Sequence, residues 1–163
     1  GAVTWENGAS GVSAVVSPAN SLVGSTAGDQ VGSHGVTALT NGNYVVRSPA
    51  WDDGATANVG GATWGNGTGG VSGVVSLANS LIGSTANDSI SSGQVGWMVV
   101  LSSGGVTALT NGNYVVVSPR WARGASLDAG AVKALTKFKV GPNEQRDVVA
   151  FMQSLKKEIV ESP

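Results

Sequence analysis

Apolar positions in the first 129 residues come in short β-branched runs, Val12 to Val16, Val36 to Leu39 and Tyr44 to Arg47, each bounded by Gly, Asn or Ser. Runs of this length between turn formers predict strands, and no stretch before residue 130 carries the spacing of an amphipathic helix. Val36-Thr37-Ala38-Leu39 and Tyr44-Val45-Val46 flank Thr40-Asn41-Gly42-Asn43. Asn-Gly accepts the positive φ values of a type I′ turn, so a hairpin is predicted there and again at Asn111-Gly112. Ser48-Pro49 and Ser118-Pro119 end each ladder because proline has no N–H to donate, and the Trp two residues later is expected to pack back onto the repeat. Ala2 to Trp5 and Ser21 to Ser25 complete a set of four or five short strands in about 60 residues, the size of a propeller blade.

The pattern changes after residue 129. All five lysines (Lys133, Lys137, Lys139, Lys156, Lys157) lie beyond that point. Pro142-Asn143 followed by Glu144-Gln145-Arg146-Asp147 reads as a helix start, with Asn143 as the cap and acidic residues in the first turn. Val148, Phe151, Met152, Leu155 and Ile159 then form one apolar stripe, which predicts a helix over about 143–161.

Self-comparison sets the organisation. Thr4-Trp5-Glu6-Asn7-Gly8, Gly11-Val12-Ser13, Ala19-Asn20-Ser21-Leu22 and Gly24-Ser25-Thr26-Ala27 recur from Thr63 to Ala86 at an offset of 59. Gly35 to Val46 recurs unchanged as Gly105 to Val116 at an offset of 70, again followed by Ser-Pro-x-Trp. The difference of 11 is five residues, Ser89 to Gly93, and six, Trp97 to Ser102. The predicted layout is a first β-repeat over 1–59, a second over 60–129 with insertions at 89–93 and 97–102, and a divergent tail over 130–163 that opens with Gly130-Ala131-Val132, an echo of Gly1-Ala2-Val3. The expected fold is all-β, with propeller-like blades of short antiparallel strands and one C-terminal α-helix.

Composition narrows the function. Charged residues are 12% of the 163, Gly contributes 25, Cys is absent and the net charge is −1. No cluster of Lys and Arg provides an electrostatic footprint for nucleic acid. The most compact apolar run, Trp97 to Leu101, is far too short to span a bilayer, so no membrane span is expected. Without Cys there is no disulfide framework, zinc–thiolate site or attached haem c. The N-terminus lacks a charged segment followed by an apolar core, which reads as a mature product or an excised fragment.

Candidate catalytic groups are few. His34 is the only histidine, it lies in a Gly-Ser-His-Gly turn, and Gly104 stands in its place in the second copy. No Gly-x-Ser-x-Gly elbow marks a partner serine. Asp29 and Asp88 are equivalent, Asp52-Asp53 is matched by Ala122-Arg123, and Glu6 stands alone. Turn residues account for these carboxylates, since Asp bonds its own backbone in tight loops; an acid–base pair or a calcium site would need folding to bring them together. The reading is therefore no enzyme, no catalytic residue, no metal and no cofactor. Trp5, Trp51, Trp64 and Trp121 recur pairwise and suit sheet packing, with stacking on sugar rings as the functional alternative.

The blocks Gly-Val-Thr-Ala-Leu-Thr-Asn-Gly-Asn-Tyr-Val-Val-x-Ser-Pro-x-Trp, Thr-Trp-x-Asn-Gly, Ala-Asn-Ser-Leu-x-Gly-Ser-Thr and Asp-Gln-Val-Gly resemble modules of long bacterial surface proteins of the filamentous-haemagglutinin type, over residues 1–132. The resemblance implies an extracellular or cell-surface protein, with the periplasm as the alternative, acting structurally or adhesively through repeated β modules and self-association, protein partners or a surface glycan. The tail, Leu135 to Leu155, is faintly similar to the last helix of c-type cytochromes. That similarity implies an alternative role as an accessory subunit of a larger, cytochrome-containing complex. Its contacts would be Trp97, Met98, Val99 and Leu101 with Phe151, Met152 and Leu155 of the helix.

Overall fold

A computed structural model of the chain describes residues 1–95, 98–99 and 104–122. These contain eleven strands: β1 Ala2–Thr4, β2 Ser21–Val23, β3 Val36–Ala38, β4 Tyr44–Ser48, β5 Gly61–Gly65, β6 Gly73–Val74, β7 Ser80–Ile82, β8 Gln94–Val95, β9 Met98–Val99, β10 Val106–Ala108 and β11 Tyr114–Val116. No helix occurs among the described residues, and the one expected at about 143–161 lies outside them.

The two repeats pair their strands in the same register. In β1·β2, Val3 faces Leu22 and Thr4 faces Ser21; in β5·β7, Ala62 faces Leu81 and Thr63 faces Ser80. Hairpin β3·β4 sets Thr37 against Val45, and β10·β11 sets Thr107 against Val115. The Asn-Gly loops form as three-residue loops and not as the expected I′ turns: Leu39 N–H bonds Asn43 O at 2.8 Å, Gly42 N–H bonds Leu39 O at 3.0 Å, and of the three loop residues only Gly42 has positive φ, +86°. Asn41 Oδ1 accepts the Asn43 N–H instead, which holds its own backbone on the ordinary side of φ. Asn111 and Gly112 repeat this, with φ +83° at Gly112.

The propeller-like expectation does not hold. The described strands form separate sheets in the orders β1-β2-β6, β3-β4-β5-β7, β8-β9 and β10-β11, and none closes into a barrel or a propeller. The first repeat divides its strands between two sheets, and the second spreads its own over all four, because β4 of the first repeat pairs over five residues with β5 of the second, Tyr44↔Gly65 to Ser48↔Gly61, and β6 of the second pairs with β2 of the first. Ring closure would need the first and last strands to meet, whereas here β1 and β11 each have one unpaired edge among the described residues. Val12 to Val16, expected as a strand, has no regular pairing. Its counterpart β6 lies parallel to β2.

Strand β4 is buried on both faces because successive side chains point to opposite sides. Val46 enters a core with Leu22, Val31, Trp51, Val59 and Val75; Val45 enters a second with Leu39, Ala62, Ile90 and Val106. The four-stranded sheet is thus a wall shared by two cores. The inserted residues contribute a hairpin of their own, with Gln94 opposite Val99 and Val95 opposite Met98.

Equivalent residues differ sharply in burial. Leu22 is 0% exposed beneath the second repeat, and Leu81 is 56% exposed. Leu22→Ala should therefore cost about 2 to 5 kcal/mol, and Leu81→Ala about 0.5 kcal/mol or less. Urea midpoints at low protein concentration measure both.

Candidate functional site

Asp29 and Asp88 are fully buried and build the same structure twice. Asp29 Oδ2 accepts the N–H groups of Ser25 at 2.5 Å and Thr26 at 2.9 Å, and Oδ1 accepts the Thr26 hydroxyl at 2.5 Å. Asp88 accepts the N–H groups of Ser84 at 2.8 Å and Thr85 at 2.9 Å, the Thr85 hydroxyl at 2.7 Å and the Ala122 N–H at 2.9 Å. Burial alone would raise either pKa, but the hydrogen bonds to the ionised form outweigh it, and both carboxyls sit below the ordinary aspartate value. Thr26 and Ser25 supply those bonds to Asp29; Ala122, Thr85 and Ser84 supply them to Asp88. Gly24 and Gly83 precede these turns, and a Cβ at either would press on the carboxylate side chain. These carboxylates organise backbone. Among the described residues no group of three or more His, Asp or Glu side chains could hold a metal ion.

Asp52 Oδ1 accepts the Asn58 N–H at 2.6 Å, and Asp53 bridges to Thr56 in a tight loop. Glu6 is exposed. His34 lines a cleft of about 260 Å³ with Pro49, Asn58, Ser89, Gln94 and Arg120. Its pKa is lowered by burial and then by the Arg47 charge. That environment favours a neutral imidazole, and among the described residues the side-chain contact of its ring is Ser33 Oγ, 3.4 Å from Nδ1. Gly104, at this position in the second copy, has φ +66°, a conformation that favours glycine, and a Cβ there would meet the Arg47 guanidinium.

The most developed geometry is the joint between repeats. Residues 70–75 of the second repeat form an arm that reaches back onto the first. Val75 N–H bonds Val23 O at 3.0 Å, Val75 packs in the core with Leu22, and Gly70 lies so close to the Trp5 side chain that a Cβ would clash. A hydroxyl–amide relay shapes the arm. Thr63 Oγ1 meets Ser80 Oγ at 2.6 Å, Ser80 Oγ donates to Asn79 Oδ1, and Asn79 receives the Ser76 N–H and donates to Val74 O. Thr4, Ser21, Asn20, Ser17 and Val15 make the same relay one repeat earlier.

A family model described as a repeat of unknown function (DUF5650) matches residues 1–33, 38–92 and 108–134. The chain belongs to this repeat family. No curated protein and no solved structure matches the chain. Nothing in these comparisons ties this DUF5650 repeat protein to filamentous haemagglutinins or to cytochromes. The gap in the match at 93–107 spans the inserted hairpin β8·β9.

The contact residues expected from sequence fall largely outside the described part of the repeat protein. Met98 and Val99 are placed as backbone of β9, while Trp97, Leu101, Phe151, Met152 and Leu155 lie beyond the described residues. Trp51 is buried in the core with Leu22 and Val46, and its indole N–H has no acceptor among the described residues; Trp64 and Trp121 are exposed. No helix among the described residues is long and apolar enough to cross a membrane.

Two outcomes follow from the turn carboxylates. Because their folded pKa values are depressed, Asp29 and Asp88 contribute stability that is complete above the ordinary carboxylate range and lost as pH falls below about 3.9. Asp88→Asn should lower stability at pH 7 by about 1 to 3 kcal/mol, since an amide nitrogen would confront N–H donors. It should also flatten the acid limb of a pH series of denaturant melts.

Proposed function

We propose that this chain is a non-catalytic structural module of a bacterial cell-surface or secreted protein, acting by presenting the same β surface repeatedly. The observation that supports it most directly is the repeat-for-repeat identity of strand register and hydrogen-bond relay at the joint. The side chains that recur are used to align and stack backbone, and the two equivalent carboxylates have their acceptor positions taken by turn N–H and hydroxyl groups. The surface placement draws on the resemblance of the repeat blocks to haemagglutinin-type modules. Adhesion by such a protein is multivalent: each module binds weakly, and linked modules gain through effective concentration.

Antibody labelling of intact cells that produce the protein tests the placement, and strong labelling only after permeabilisation would refute it. Beads coated at graded density test the adhesive part. Retention on glycan- or matrix-coated surfaces should rise more steeply than linearly with coating density, whereas no retention at any density would remove adhesion from the proposal.

A further inference from the structure

The joint between repeats leaves one half of itself unused at each end of the described structure. The arm of the second repeat, Gly70-Val71-Ser72-Gly73-Val74-Val75-Ser76, has its counterpart in Gly11-Val12-Ser13-Ala14-Val15-Val16-Ser17. Val75 is 2% exposed in its socket, and Val16 is 56% exposed with none. The socket is the outer edge of β2, with Leu22 and Trp5. Its counterpart is the outer edge of β7, which among the described residues pairs only with β5, together with Leu81 and the 43%-exposed Trp64.

We infer that the arm of one copy, Gly11 to Val16, docks on the β7 edge of a second copy of this chain, joining copies head to tail. The contacts are those of the internal joint moved by one repeat. Gly11 meets Trp64, Val15 pairs beside Ile82, and Val16 covers Leu81, as Gly70 meets Trp5, Val74 pairs with Val23, and Val75 covers Leu22. The undocked arm is already shaped for this. Asn20 Nδ2 donates to Val15 O at 2.9 Å and Asn20 Oδ1 accepts the Ser17 N–H at 2.9 Å, matching Asn79 at 3.0 Å and 3.0 Å. An arm held in its bound form loses less entropy on docking. One position opposes the match: Gly73 has φ +105°, a conformation costly for any other residue, and Ala14 stands in its place. The joint between copies is therefore weaker than the internal one. Arm and socket are different surfaces, so the contact is heterologous and does not close on itself as a two-fold dimer would.

Analytical ultracentrifugation of the full chain tests this, with mass expected to grow past a dimer between about 10 µM and 1 mM. Val16→Lys, which disables the arm, and Leu81→Lys, which disables the socket, should each be monomeric, both residues being exposed and their replacement harmless to the fold. Mixed, they retain one good arm and one good socket and should give a 1:1 heterodimer and nothing larger. Ala14→Gly should tighten self-association about fivefold. A chain that stays monomeric throughout the range overturns the inference. So do single variants that still self-associate, or a mixture of the two that does not pair.

Discussion

Strand β4 belongs to two repeats at once. One edge pairs with its own hairpin partner β3, and the other pairs over five residues with β5, the first strand of the next repeat. Its two central valines are buried on opposite faces, one in each core. Everything else in the described structure depends on this shared strand, because neither repeat has a complete sheet without the other. A chain built this way has nearest-neighbour energetics: a repeat is stabilised by what its neighbour contributes to its sheet and core.

The same dependence explains why identical sequences have different fates. Leu22 and Leu81, Trp51 and Trp121, and Val75 and Val16 are equivalent pairs, and in each the first is buried and the second exposed. Their side chains and local backbone roles match, while the presence of a neighbour on the required side does not. Exposure here marks a face that no neighbouring repeat covers among the described residues. The chemistry-bearing side chains follow a different logic, since the turn around Asp29 closes within a few residues and forms again at Asp88, where Ala122 adds one further donor.

Local features were legible where the physics is local. The strand positions at Ala2, Ser21, Val36 and Tyr44, the stop at Ser48-Pro49 and the reading of Asp29 and Asp88 as turn residues all depend on groups within about five residues of each other. The hairpin at Asn41-Gly42 was legible as a hairpin but not as a loop type, because the side-chain bond from Asn41 to the Asn43 N–H competes with the type I′ geometry. Val12 to Val16 carried the composition of a strand, yet its partner would be an edge that the first repeat does not possess. The shared core around Val46 draws on both repeats, and no periodicity within one of them reports it.

The sequence by itself determined the repeat, its two offsets, the short strands and the turn chemistry, since these follow from side-chain bonding and backbone preference over short distances. Only the tertiary structure decided that β4 joins β5, that β6 lies parallel to β2, and that the sheets stack without closing into a ring. Those choices rest on pairings between residues 13 to 51 positions apart, where many pairings satisfy the same alternating pattern. Burial of Leu22, Val46 and Trp51 beneath the second repeat selects among them.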